Sequence, residues 1–203
     1  MELSWPSLDR LPDVADALRR GWTPDHTRGE AAAREALARI GRDAAGYVAS
    51  LVDREAKGPP VGLPDGTTAP RLPGYVRWIW DGAFCGFIGF RWQPGTTELP
   101  PHVLGHIGYS VVPWQRCRGV ATRALRLQLP DCAREGLPHV FVTTDPGNVA
   151  SRRVIERNGG VLVERFVKPV AFGSAPGLRY RIDLAEHSPA PTPRTATKPA
   201  RAA

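Results

Sequence analysis

Cysteine is scarce in this chain of 203 residues, and the three it has, Cys85, Cys117 and Cys132, share no Cys-x-x-Cys spacing. Neither a disulfide framework nor a cysteine-rich zinc site fits that pattern, so reduced thiols and no metal are expected. No apolar run approaches the roughly 18 residues of a membrane span. The opening Met-Glu-Leu-Ser-Trp-Pro lacks the basic-then-apolar layout of a secretory leader. A cytoplasmic protein without a membrane partner is the expectation. Two phosphate signatures are also missing, Gly-x-x-x-x-Gly-Lys-Ser/Thr and Gly-x-Gly-x-x-Gly, which sets aside a Walker A site and a dinucleotide fingerprint. The spacing of an RNA-binding strand motif is absent too, and the aromatic segments read as sheet core rather than a base-stacking platform.

What is present suits one domain with a sizeable core: 42% of the residues are hydrophobic and 23% charged. The formal charge is +7, and Arg194, Lys198 and Arg201 against Glu186 place +2 of it in residues 186–203. That segment, rich in Pro, Ala and Thr, cannot bury enough apolar surface to offset its ordering entropy and reads as a disordered tail behind a domain of residues 1–185. The positive body suits an anionic ligand; nucleic-acid binding driven by charge alone is not expected.

Periodicity predicts helices over Asp13 to Arg20, about Arg28 to Ile40, and Asp43 to Val52. A Pro/Gly-rich connection, Lys57 to Gly74, follows without predicted structure. Tyr75 to Trp80 and Ala83 to Trp92 then read as strands joined by a tight turn at Asp81-Gly82. Gly86 and Gly89 mark a bulge or a close backbone approach. After a loop at Gln93 to Pro101 come a strand at Gly105 to Val112 and a helix from Val120 to about Glu135, which Pro130 is expected to kink or split. His139 to Thr144 reads as a buried strand of the parallel kind, Val149 to Arg157 as a helix ended by Asn158-Gly159-Gly160, and Val161 to Phe166 and Leu178 to Leu184 as strands. The fold class is a mixed α/β sheet with helices on its faces.

One segment carries more chemistry than the rest. Tyr109 to Ala121 is an apolar strand that runs through a basic, glycine-containing turn into a helix. Amides converging at a helix N-terminus favour a diphosphate, Gly119 lets the backbone approach, and Arg116 and Arg118 add fixed positive charge.

Gly105-His-Ile-Gly-Tyr-Ser-Val-Val-Pro, then Arg116-Cys-Arg-Gly-Val-Ala121, then Asn148-Val-Ala-Ser-Arg-Arg-Val-Ile-Glu-Arg-Asn-Gly-Gly160 together resemble the GNAT superfamily of acyl-CoA-dependent N-acetyltransferases over roughly residues 10–185. The middle piece matches the family's Arg/Gln-x-x-Gly-x-Gly/Ala signature. The resemblance implies a mostly antiparallel central sheet flanked by helices, with the strand-turn-helix as the acetyl-CoA cradle. It implies that the amides of Cys117, Arg118, Gly119, Val120 and Ala121, with Thr122 just inside the helix, hold the coenzyme A pyrophosphate, and that Arg116 and Arg118 neutralise phosphates. Val111 and Val112 match positions whose backbone pairs with the pantetheine arm and polarises the thioester carbonyl. Asn148 matches an asparagine that contacts pantetheine, while a helix N-cap is an equal reading of the same residue. Ser151 matches a hydroxyl used on the cofactor or the leaving thiolate, against a reading as a helix-start hydroxyl.

The chain departs from the family where many members place a proton-donating tyrosine seven residues after that asparagine; Ile155 stands there. Ser151, a water or solvent would then protonate a thiolate whose ordinary pKa near 8.5 makes it a tolerable leaving group. A base is wanted for the amine, and His106 sits close to where many relatives carry a carboxylate; Glu98 and His102 are further alternatives. The mechanism implied is direct transfer from acetyl-CoA to a primary amine, without a covalent acyl-enzyme and with Cys117 as a cradle residue. A catalytically idle acyl-CoA sensor is the alternative reading. The acceptor amine has no motif, and a homodimer, common in similar folds, stays open.

Overall fold

A computed structural model describes residues 1–25 and 28–187 of the chain. It opens on a short strand, β1 (Glu2–Ser4), followed by helices α1 (Leu11–Arg19), α2 (Glu30–Arg42) and α3 (Ala44–Ala49). Helix α1 carries a proline in its first turn, where a missing N–H costs nothing, and turns Leu11, Val14, Ala17 and Leu18 inward at helical spacing. Asp43 starts α3 by accepting a hydrogen bond from the Gly46 amide at 2.8 Å. Strands β2 (Val52–Asp53), β3 (Val61–Gly62), β4 (Thr68–Ala69), β5 (Gly74–Trp80), β6 (Phe84–Arg91) and β7 (Ile107–Val111) follow. Helix α4 (Val120–Arg134), strand β8 (His139–Thr144), helix α5 (Val149–Glu156) and strands β9 (Val161–Val167) and β10 (Pro176–Asp183) complete the order.

Apart from a separate β3–β4 pair, these strands form two antiparallel sheets. The larger has the order β1-β5-β6-β7, with β2 added on β5, and the smaller has the order β8-β10-β9. No ladder joins β7 to β8. Two hydrogen bonds at the start of β7 hold the sheets together: the His106 amide donates to the Phe141 carbonyl at 2.8 Å, and the Phe141 amide donates to His106 Nδ1 at 3.0 Å. On one side the sheets pack with α4 and α5 around Ile79, Ile88, Leu125, Leu129, Tyr180 and Ile182. On the other, α1 to α3 cover Trp78 and Phe84, with Trp22 edge-on to Phe84 at 4.9 Å.

Several expectations need correction. His139 to Thr144 is not a parallel strand: it alternates buried and part-buried residues and pairs antiparallel with β10. Helix α4 is not split at Pro130; the proline sits inside it on a partly exposed position, where only the helical bond to the Arg126 carbonyl is lost. The Lys57 to Gly74 stretch holds the small β3–β4 ladder, and the Asp53 carboxylate accepts from the Lys57 and Gly58 amides at 2.9 Å each. Helix α3 stops at Ala49 because Val52–Asp53 pairs with β5 instead. The predicted tail at 186–203 lies outside the described residues apart from the helical turn Ala185–His187. Among the described residues no helix is long and apolar enough to cross a membrane.

Gly86 is where β6 and β7 are fitted together. Its φ is +141°, and a Cβ there would lie 2.1 Å from the Ser110 carbonyl oxygen. A side chain would meet both a disfavoured backbone region and an immovable backbone atom. Gly86→Ala is expected to destabilise the protein by about 2–4 kcal/mol, read as a lowered urea midpoint with unchanged slope; a shift below about 0.5 kcal/mol would contradict this packing.

Candidate functional site

The turn between β7 and α4 is strained by design of its sequence. Cys117 has φ +61° and Gly119 φ +74°, so two residues within three adopt the left-handed region, one of them carrying a side chain. Such alternation turns successive amides toward one side and makes an anion-binding concavity. Gly119 is the N-cap of α4 and supplies no side-chain cap. Among the described residues, none of the amides from Cys117 to Thr122 has a protein acceptor; the first bonded one is Arg123, which donates to the Gly119 carbonyl at 3.0 Å. Arg116 Nε donates to the Val111 carbonyl at 3.2 Å and Arg118 to Gln115 Oε1 at 3.3 Å.

From this turn a cleft of about 610 Å³ runs along β7 to the start of α5. Arg116, Cys117, Gly119, Val120, Ala121 and Thr122 line it at one end. Arg118 does not line it; its guanidinium turns to Gln115. The two strand valines separate. Val112 is fully buried, and its amide is committed to the Cys85 carbonyl at 3.0 Å. Because hydrogen-bonding direction alternates along an antiparallel strand, the N–H and C=O of Val111 then point away from β6, into the gap between the sheets.

At the other end Asn148 caps α5: its Oδ1 accepts from the Ser151 amide at 3.0 Å, while the residue also faces the cleft. Ser151 Oγ lies 2.8 Å from the Tyr109 hydroxyl, and both side chains line the cleft. Burial pushes the Tyr109 phenol up to about 12, the bond to Ser151 working against it. Sequence reading overlooked Tyr109, although it shares a strand face with Val111 two residues on. It also overlooked Arg153 and Arg157, four apart on α5, which line the cradle end. Asn158 places them by donating to the Thr122 carbonyl at 3.2 Å, fastening the end of α5 to the first turn of α4.

His106 is not at the cleft. It is 0% exposed and tied between the sheets, and the Phe141 amide occupies its Nδ1 lone pair, so the neutral ring carries its proton on Nε2. Burial, with His139 and Arg91 nearby, lowers its pKa to about 4. A base expected there is a joint instead. Glu98 is exposed on its loop and His102 Nε2 contacts the Pro70 carbonyl at 3.0 Å; neither lines the cleft. Among the described residues no carboxylate or imidazole does. Among the described residues no group of His, Cys, Asp and Glu is placed to hold a metal.

With this geometry in hand, comparison with known proteins is direct. The family model for the acetyltransferase (GNAT) domain matches residues 8–161. A solved structure described as "Probable acetyltransferase" is 18% identical with a TM-score of 0.57, covering 91% of this chain and 93% of its own. A variant of the spermidine N-acetyltransferase of Vibrio cholerae is 11% identical with a TM-score of 0.55, covering 92% and 97%. The microcin C7 self-immunity acetyltransferase, solved with acetyl-CoA and AMP, is 10% identical with a TM-score of 0.50, covering 89% and 91%. At these identities the likeness is one of fold. No curated protein sequence matches the chain.

The buried joint has a pH signature. His106 takes up a proton near 6.5 when unfolded and only near 4 when folded, so its contribution is fully present above pH 6.5 and is lost as pH falls through 4. Urea unfolding should show stability falling by about 3 kcal/mol over that window. His106→Asn should flatten the slope; an equally steep fall in the variant would remove His106 as its cause.

Proposed function

The chain belongs to the acetyltransferase (GNAT) domain family, and from that premise we propose that it transfers an acetyl group from acetyl-CoA to a primary amine, directly and within one ternary complex. The observation that carries the proposal is the row of acceptor-free amides from Cys117 to Thr122 at the mouth of a cleft long enough for an extended ligand. A diphosphate matches it in charge and in hydrogen-bonding demand. Arg116, Arg153 and Arg157 add the compensating charge, and Arg118 contributes at longer range. Val111 offers its N–H to an amide-bearing arm laid beside β7, as an added strand would be, while its C=O holds Arg116 Nε at 3.2 Å. Asn148 keeps its side-chain N–H donors uncommitted, because only its oxygen serves the cap.

Proton delivery to the departing thiolate falls to the Tyr109–Ser151 hydroxyl pair. A phenol raised to about 12 stays protonated at any working pH and can donate, either directly or through Ser151 Oγ. The tyrosine that Ile155 replaces on α5 is thus supplied from β7, which takes away the main support for an idle sensor. Among the described residues lining the cleft none can act as a base near neutrality, so in this reading the amine loses its proton to water or arrives neutral. A cytoplasmic setting belongs to this reading.

Calorimetric titration with acetyl-CoA tests the donor site: Gly119→Glu, which puts a carboxylate among the cradle amides, is expected to weaken binding more than 100-fold, and unchanged affinity would sink the assignment. Tyr109→Phe should lower kcat by about 10–100-fold while the KM for acetyl-CoA stays within threefold; a kcat within twofold of the parent removes Tyr109 from the chemistry. With either protein, log(kcat/KM) for the amine should climb with unit slope up to the amine's own pKa, near 10.4 for an alkylamine. An inflection between pH 6 and 7.5 would reveal a base that the described lining does not contain.

A further inference from the structure

On the face of the larger sheet turned toward α1 to α3, two adjacent positions carry no side chain. Gly89 and Gly108 are direct cross-strand partners on β6 and β7. At one end of this bare patch stand Arg91 and His106, opposite each other through the Arg91 amide bond to the His106 carbonyl at 2.9 Å. At the other stand Phe87 and Ser110. Ser110 is held in place there: its Oγ accepts from the Trp22 indole N–H at 3.0 Å and donates to the Thr23 carbonyl at 3.2 Å. Of these residues Ser110 also lines the cleft, next to Val111, and Gly108 lies two residues before Ser110 on β7.

Arg91 lies along this patch with its charge unmatched. One guanidinium nitrogen is only 3.1 Å from where a Cβ on Gly108 would stand, so the head group occupies the room that Gly108 leaves. The residue is partly buried, and no hydrogen bond or ion pair engages the guanidinium among the described residues. Burial strips water from the guanidinium and lowers its pKa. Other partly buried guanidiniums have polar partners: Arg77 has Asp131 at 3.1 Å, and Arg152 donates to the Tyr180 hydroxyl at 3.3 Å. The neighbouring polar group is a donor as well: His106 Nε2 is fully buried without a partner, and its tautomer makes it an N–H. An uncompensated cation beside an unmet donor is a site built for an anion that arrives from outside.

We propose that Arg91 recognises the acceptor, and that the acceptor is a small amine bearing a carboxylate, which pairs with the Arg91 guanidinium while the amine reaches Ser110 and Val111. This rests on the acetyl-transfer reading of the cleft. Two to three residues of extended strand separate Gly108 from Ser110 and Val111, which sets the amine-to-carboxylate span at about 7–10 Å. ω-Amino acids of five to eight carbons fit that span. Polyamines do not suit it, because their second cation would face Arg91.

The test is calorimetric titration of the CoA-saturated protein with ω-amino acids of five to eight carbons and with the alkylamines of matched length. At least one amino acid should bind ten-fold or more tightly than its alkylamine, and Arg91→Gln should bring the pair within twofold without changing the affinity for CoA. Gly108→Ala, which crowds the guanidinium, should reduce the preference in part, and it carries the test if Arg91→Gln does not fold. Melting temperature supplies a check on a merely structural role: losing an unpaired charge should leave it unchanged or raise it. Equal binding of acids and amines by the parent protein, or a preference that survives Arg91→Gln, overturns the proposal. Because binding is read without turnover, a carboxylate preference that appears with no acetyl transfer would refute the catalytic reading and leave the anion site standing.

Discussion

Everything functional in this protein depends on two strands that touch at one end only. Buried backbone N–H and C=O groups must be paired with something, and β7 and β8 meet that demand with each other at a single place, where His106 and Phe141 exchange a backbone bond and a side-chain bond. Beyond it they belong to separate sheets. The side of β7 turned away from β6, with the Val111 N–H above all, is a strand edge inside the molecule rather than at its rim. An edge of that kind asks for a strand-like ligand, and acetyl-CoA, with two amides in its arm, is one.

The rest of the site is organised by sign. Along the cleft and the bare patch of the opposite face, nearly every group offers a proton or a positive charge: the amides from Cys117 to Thr122, Arg116, Arg153, Arg157, the Tyr109 phenol, Arg91 and His106 Nε2. A carboxylate in the cradle would compete with the phosphates for the same amides, and one near Arg91 would cancel its charge. The absence of acidic side chains from the cleft lining is therefore consistent with anions at both ends. In the proposed reaction it also leaves the amine no base among the described lining residues, so water takes that proton and the Tyr109 phenol supplies the other.

How much of this was legible in the sequence varied with the range of the interaction. The strand-turn-helix at Tyr109 to Ala121 could be read because its parts are neighbours in the chain: an apolar run, basic residues, Gly119 and a helical period. The Asp81-Gly82 hairpin and the N-cap role of Asn148 were readable for the same reason. Element ends were less so, because β2 and β1 are too short to show a period and exist only by pairing with β5. His106 was misread as a candidate base. Its type and place on the strand suited the role, but the Phe141 amide that occupies its ring comes from 35 residues away.

The sequence by itself determined the family, the order of elements and the anion-binding turn, since helix starts, turns and strand alternation are written in residues three or four apart. Only the tertiary structure decided which side chains meet. Tyr109 and Ser151 lie 42 residues apart in the chain and 2.8 Å apart in space. Val112 loses its amide to Cys85 while Val111 keeps its own free, a difference set by which edge of β7 faces β6. Among the described residues the Arg91 guanidinium has no partner, its neighbours across the strands being Gly74 and a neutral histidine. Register and sheet separation are long-range properties, and they set a readable cradle at one end of a cleft whose other end holds the Tyr109–Ser151 pair.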